Sequence, residues 1–101
     1  MSNTYQMVIQ YEVKDSERNI YEHEIKYILN NLSQYGADNI QWQMLDDNIY
    51  METFTIPSEA YYNAIKKLRT APRHLLFGKL DPCINGGVKK IQCYGLKTAY
   101  S

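Results

Sequence analysis

Apolar and polar residues alternate at the start of the chain. Tyr5, Met7, Ile9, Tyr11 and Val13 are interleaved with Gln6, Val8, Gln10 and Glu12. A period of two with one mostly polar side predicts a strand that packs one face on a core. Asp15 or Ser16 then offers an N-cap oxygen for a helix start. The spacing changes to that of a helix, with Ile20, Ile25, Ile28, Leu29, Leu32 and Tyr35 on one stripe and Gly36 as the C-terminal stop. From Asn39 to Leu45, Ile40, Trp42 and Met44 share a face opposite Gln41 and Gln43, and Asn48 to Ile56 is rich in strand formers. Asp46-Asp47-Asn48 between them is turn chemistry, so the two read as a hairpin. Pro57-Ser58 stops the second of these and caps another helix, whose inner stripe is Tyr61, Ala64, Ile65 and Leu68 and which ends by Pro72. Asn85-Gly86-Gly87 reads as a tight turn. A last strand is predicted from Val88 to Thr98, with Ile91 and Cys93 on one face and Tyr94 and Leu96 on the other.

The predicted order is β-α-β-β-α-β. Right-handed crossovers convert it into an α+β, ferredoxin-like, four-stranded antiparallel sheet of order 4-1-3-2 with two main helices on one face. All 101 residues form one domain, a size at which a single core suffices. The segment from Thr70 to Gly87 is too long for a plain connector. It carries Leu75, Leu76, Phe77, Leu80 and Ile84, and a short extra helix is predicted over Arg73 to Phe77 before the last strand.

The second face of such a sheet is bare. Here it holds Val8, Tyr94 and Leu96 among Gln6, Gln10, Gln92, Gln41 and Gln43. A half-apolar face asks for cover, and a second copy of the chain is the simplest, so the expectation is a homodimer through Val8, Tyr94 and Leu96. Element order, size and open face together resemble the dimeric α+β barrel superfamily, in which two ferredoxin-like domains pack sheet to sheet. That group includes antibiotic-biosynthesis-type and haem-degrading monooxygenases. The haem-degrading members use an Asn, a Trp and a His at set places. This chain has Trp42, but on its second strand, and no Asn in the middle of its first, so the resemblance implies no catalytic residue here.

Composition narrows the function classes. With 45% hydrophobic and 22% charged residues the chain is built to fold. Cys83 and Cys93 fit neither a disulfide framework nor a zinc pattern and are expected to be reduced thiols. His23-Glu24-Ile25-Lys26-Tyr27 departs from the zinc-protease helix motif, because Tyr27 stands where the second histidine ligand should be. No metal and no cofactor is expected. The run Met1 to Thr4 has no leader character, no apolar stretch is long enough for a membrane span, and the expected location is cytoplasmic.

Charge is split along the chain. Residues 1–59 hold ten acids and three bases, a net −7, while residues 60–101 hold one acid and eight bases, a net +7. The sheet order turns this into an acidic edge and a basic edge, which either aids folding slightly or draws in an anionic ligand. A candidate ligand site follows between the helix layer and the sheet, walled by Arg73, His74 and Phe77. Backbone amides of a helix opening after Pro72 attract anions, Arg73 adds a fixed charge and His74 a titratable one. The leading expectation is a small homodimeric domain binding a small molecule, an anion among the candidates. The alternative is a cofactor-independent monooxygenase-type enzyme. Nucleic acid ranks below both, because the third strand has no RNA-recognition signature and carries Glu52 in its middle.

Overall fold

A computed structural model describes residues 3–99; Met1, Ser2, Tyr100 and Ser101, and with them the start of the run read for a leader, lie outside it. Four strands, β1 (Asn3–Glu12), β2 (Asp38–Asp46), β3 (Ile49–Ile56) and β4 (Gln92–Ala99), and two α-helices, α1 (Arg18–Asn31) and α2 (Glu59–Arg69), follow the β-α-β-β-α-β order. All pairings are antiparallel and lie across the sheet as β2-β3-β1-β4, which counted from the opposite edge is 4-1-3-2.

The core fills the layer between this sheet and the helices. Met7, Ile9 and Tyr11 of β1 and Tyr50, Phe54 and Ile56 of β3 are buried against Tyr21, Ile25, Ile28 and Leu32 from α1 and the turn after it, and against Ile65 from α2. The first strand is therefore half-buried in the sense its alternation implies. Gly36 ends the helical run in the left-handed region at φ 93°.

Four local expectations are corrected. Neither Asp15 nor Ser16 caps α1 through its side chain; Asp15–Glu17 forms a 3-10 turn and the α-helix begins at Arg18. Ile20 is exposed and Tyr21 takes its place inside. In α2, Tyr61 is exposed, and Tyr62 packs on the core instead. Its hydroxyl donates to the Cys93 carbonyl at 3.2 Å, and its ring occupies the space a side chain at Gly95 would need, 2.9 Å from an ideal Cβ. The fourth concerns the short helix: the chain turns at Pro72 and Arg73, and a 3-10 helix forms only over Phe77–Leu80.

The reason lies at His74. Its Nδ1 accepts the backbone N–H groups of Leu76 and Phe77, both at 3.1 Å, so the first free amides are already occupied by an imidazole lone pair. The segment then closes one end of the core, with Phe77, Leu80, Cys83, Ile84 and Val88 all buried. It is fastened back to β1 by an antiparallel bridge between Val13 and Ile84, and by Lys14 N–H to Cys83 C=O and Asn85 N–H to Glu12 C=O, each 2.8 Å.

A candidate ligand cleft and a buried polar network

Residues directly opposite in neighbouring strands share a face. Val8 stands opposite Tyr94 and Thr53, Gln10 opposite Gln92 and Met51, and Glu12 opposite Ile49. Alternate residues of β1 point the same way, so Val8, Gln10, Glu12, Ile49, Gln92 and Tyr94 all lie on the face away from the helices. At the Glu12 end of this face the fastened segment rises as a wall. Its tip turns through Gly86 and Gly87, both at φ 83°, a conformation that L side chains rarely adopt. Between wall and sheet lies an open cleft of about 400 Å³, lined by Gln10, Tyr11, Glu12, Ile49, Asn85, Gly86, Lys90 and Gln92.

Local contacts fix the wall and join it to the floor. The Asn85 side-chain amide donates to Glu12 Oε1 at 3.1 Å, in addition to the backbone bond between the same residues. Lys90 belongs to a 3-10 turn, Val88–Lys90, whose first N–H donates to Asp81 Oδ1 at 2.9 Å. Its side chain crosses Gly86 so closely that a Cβ there would meet Lys90 Cγ at 2.6 Å. A second, smaller cleft of about 270 Å³ lies near the opposite end of the sheet, among Thr4, Gly36, Asp38, Thr55, Ile56 and Pro57.

On the helix side the sheet carries a different chemistry. Glu52 and Arg69 are both fully buried, and the guanidinium grips the carboxylate with two bonds of 2.7 Å. Tyr11 donates to Glu52 Oε2 at 2.5 Å. Since a carboxylate can only accept, the 2.8 Å contact between the two tyrosine hydroxyls runs from Tyr21 to Tyr11, and the Trp42 indole N–H in turn donates to Tyr21 at 2.8 Å. The result is a directed chain from a half-exposed indole to a buried ion pair. Trp42 stacks on Tyr50 with centroids 5.8 Å apart, and Arg69 lies over the Phe77 ring at 5.3 Å. Burial and the neighbouring Glu52 charge push the Tyr11 hydroxyl well above the usual tyrosine range. Burial also raises Tyr21, partly offset by its bonds to Tyr11 and Trp42. For Arg69, burial works against the charged form, but the Glu52 carboxylate outweighs it and raises the guanidinium above its ordinary value.

The sequence-derived candidates lie close together but line no cleft. Arg73 is exposed on a turn; His74 is half-buried, spends Nδ1 on two amides and stacks on Phe77 at 4.8 Å; Phe77 is wholly in the core. Neither cleft is lined by any of the three. Val8, Tyr94 and Leu96 do share the open face, with Tyr94 and Leu96 50% and 62% exposed. The residues missed were Glu52 and Arg69. Glu52 sits between Tyr50 and Phe54 at the core period of β3, and Arg69 lies four residues after Ile65 on the inner stripe of α2. Opposite charges at two core-facing periods were the available signal. Cys83 and Cys93 are free thiols, both raised by burial. Among the described residues no three His, Cys, Asp or Glu side chains converge as a metal site would, and no helix is long and apolar enough to cross a membrane.

No protein-family profile and no curated protein matches the sequence. Solved structures do match in shape. A conserved protein from Methanosarcina mazei Go1 is 12% identical, with 92% of this chain and 90% of that one covered at a TM-score of 0.70. A putative antibiotic biosynthesis monooxygenase from Nitrosomonas europaea is 10% identical, with 99% and 92% covered at a TM-score of 0.67. A Mycobacterium tuberculosis protein is 8% identical, with 97% of each chain covered at a TM-score of 0.69. The chain has the ferredoxin-like architecture of antibiotic-biosynthesis-monooxygenase-like proteins; at these identities the likeness is one of fold.

Proposed function

We propose that this protein is a homodimeric domain that binds a small polar molecule in the cleft at the end of its open sheet face. The observation that carries the reading is where space and polar groups coincide. The layer between helices and sheet is occupied by fully buried side chains and a closed ion pair. The cleft on the other face, by contrast, is of ligand size and presents three carboxamides, a carboxylate and an ammonium. Its floor is continuous with Val8 and Tyr94, two residues further along the same strands, so a second copy laid on the open face would also roof the cleft and hold a ligand away from water. A screen of small polar molecules, read by the NMR shifts of the Gly86, Gly87 and Gln92 amides, tests this. Shifts that saturate at these amides support the cleft; a bound molecule that instead moves only amides of α1 and α2 overturns it.

A cofactor-independent monooxygenase is the second reading. It is favoured by the hydrogen-bonded run from Trp42 through Tyr21 and Tyr11 to Glu52, which reaches the surface at an aromatic side chain that could stack an aromatic substrate, and by the fold shared with the Nitrosomonas europaea protein. Oxygen uptake with an aromatic quinol, abolished in Trp42→Phe, would establish it. No uptake above the uncatalysed rate leaves the binding reading in place.

A further inference from the structure

We infer that the open-face cleft takes a small zwitterion, an α-amino acid or similar aminocarboxylate, with its ammonium at Glu12 and its carboxylate at Lys90. This rests on the cleft being the ligand site. The two charged side chains that line the cleft have opposite signs, yet they are not paired with each other. Among the described residues the ion pairs within 4.0 Å are Arg18 with Asp47 and Arg69 with Glu52, and neither Glu12 nor Lys90 is in one. Flexible opposite charges in one small cleft would ordinarily meet. Here Glu12 on the floor accepts the Asn85 amide at Oε1, and the stem of Lys90 on the wall lies across Gly86.

Two opposite, unpaired charges lining one cleft decide the ligand class. A simple anion would gain Lys90 but lie in the field of the Glu12 carboxylate, and a simple cation would face the reverse. A neutral molecule would pair with neither. A molecule carrying both charges a few bonds apart satisfies both side chains at once. Between them Gln10 and Gln92 face each other on the floor, each able to donate and accept, and Ile49 adds an apolar patch for a short side chain.

Four probes separate the possibilities: L-alanine, L-alaninamide (cation only), N-acetyl-L-alanine (anion only) and N-acetyl-L-alaninamide (neutral). Each is titrated against the intact protein while the Gly86, Gly87 and Gln92 amides are followed by NMR. Alanine is expected to saturate these shifts at the lowest concentration, with loss of either charge weakening binding by roughly two- to fivefold, the worth of a solvent-exposed ion pair. Glu12→Gln should remove alanine's advantage over N-acetylalanine, and Lys90→Gln its advantage over alaninamide. Both residues are exposed, so the amide spectra of the variants should otherwise match the parent. N-acetylalanine binding as well as alanine would overturn the zwitterion in favour of a plain anion site. Equal binding of all four would overturn charge recognition. Should none of the four bind while another molecule from the screen moves the same amides, the ligand class falls and the cleft stands; if no molecule moves them, both fall.

Discussion

Arg69 places a guanidinium where α2 should place an aliphatic side chain, and Glu52 does the same on β3. Either charge alone in that layer would be strongly unfavourable; together they are held by two short parallel bonds, a tyrosine hydroxyl and the face of Phe77. Glu52→Ala is therefore expected to cost about 3–5 kcal/mol in urea denaturation, because it strands a buried cation. The double substitution Glu52→Leu with Arg69→Met should recover most of that loss, the comparison that separates a stranded charge from a lost contact. Tyr11 and Tyr21 add a pH signature. Their hydroxyls are raised in the folded chain above the ordinary value of 10.0, so above that pH the unfolded chain releases protons that the folded chain retains. Their stabilising contribution is complete below pH 10 and is lost as pH rises from there toward the folded values. Denaturation midpoints measured on the alkaline side should fall accordingly, and Tyr11→Phe should flatten the slope.

At the level of elements, what the sequence made legible was whatever depends on period and turn chemistry alone. The alternation of β1, the hairpin turn with Asn48 at φ 62°, the stop at Gly36 and the division of β4 between Cys93 and Tyr94 all follow from local rules. The edge of each helix's inner stripe did not, although Ile25, Ile28, Leu32 and Ile65 lie inside as expected. Hydrophobicity favours Ile20 over Tyr21 and does not distinguish Tyr61 from Tyr62, whereas the fold selects the tyrosine whose hydroxyl finds a partner, Tyr21 in the network and Tyr62 on the Cys93 carbonyl. The cleft was illegible for a different reason: its wall meets its floor through Asn85 and Glu12, 73 residues apart. The long segment also hides a steric demand. An ideal Cβ on Gly78 would lie 2.3 Å from the Pro72 carbonyl oxygen, a backbone atom that cannot swing aside. Gly78→Ala is expected to destabilise by about 1–3 kcal/mol, as overpacking does, visible as a lowered urea midpoint.

For the whole molecule, the charge division along the chain is partly internal. Glu52 and Arg69, one from each half, neutralise each other in the core, while Arg18 binds Asp47 and Asn48 within the acidic half, tying the start of α1 to the hairpin turn. On the open face of the sheet Tyr94 and Leu96 stay exposed. Tyr94→Lys is expected to weaken self-association at least tenfold, about 1.4 kcal/mol, since the new ammonium would be buried without a partner. Sedimentation across a concentration series measures it. A parent chain that sediments as a monomer at tens of micromolar would remove the dimer, and an unchanged association constant in Tyr94→Lys would move the interface off this face.

Trp42 is the one tryptophan among ten tyrosines, and its indole stacks on Tyr50 while donating to Tyr21. Light absorbed by the tyrosines should therefore emerge largely as indole fluorescence, the rings of Tyr21 and Tyr50 lying 6.3 and 5.8 Å away. The protein thus carries an intrinsic optical reporter at the junction of α1 with the sheet. Loosening that junction should redden the emission and restore a tyrosine band, while an event confined to the cleft on the opposite face should leave the colour unchanged.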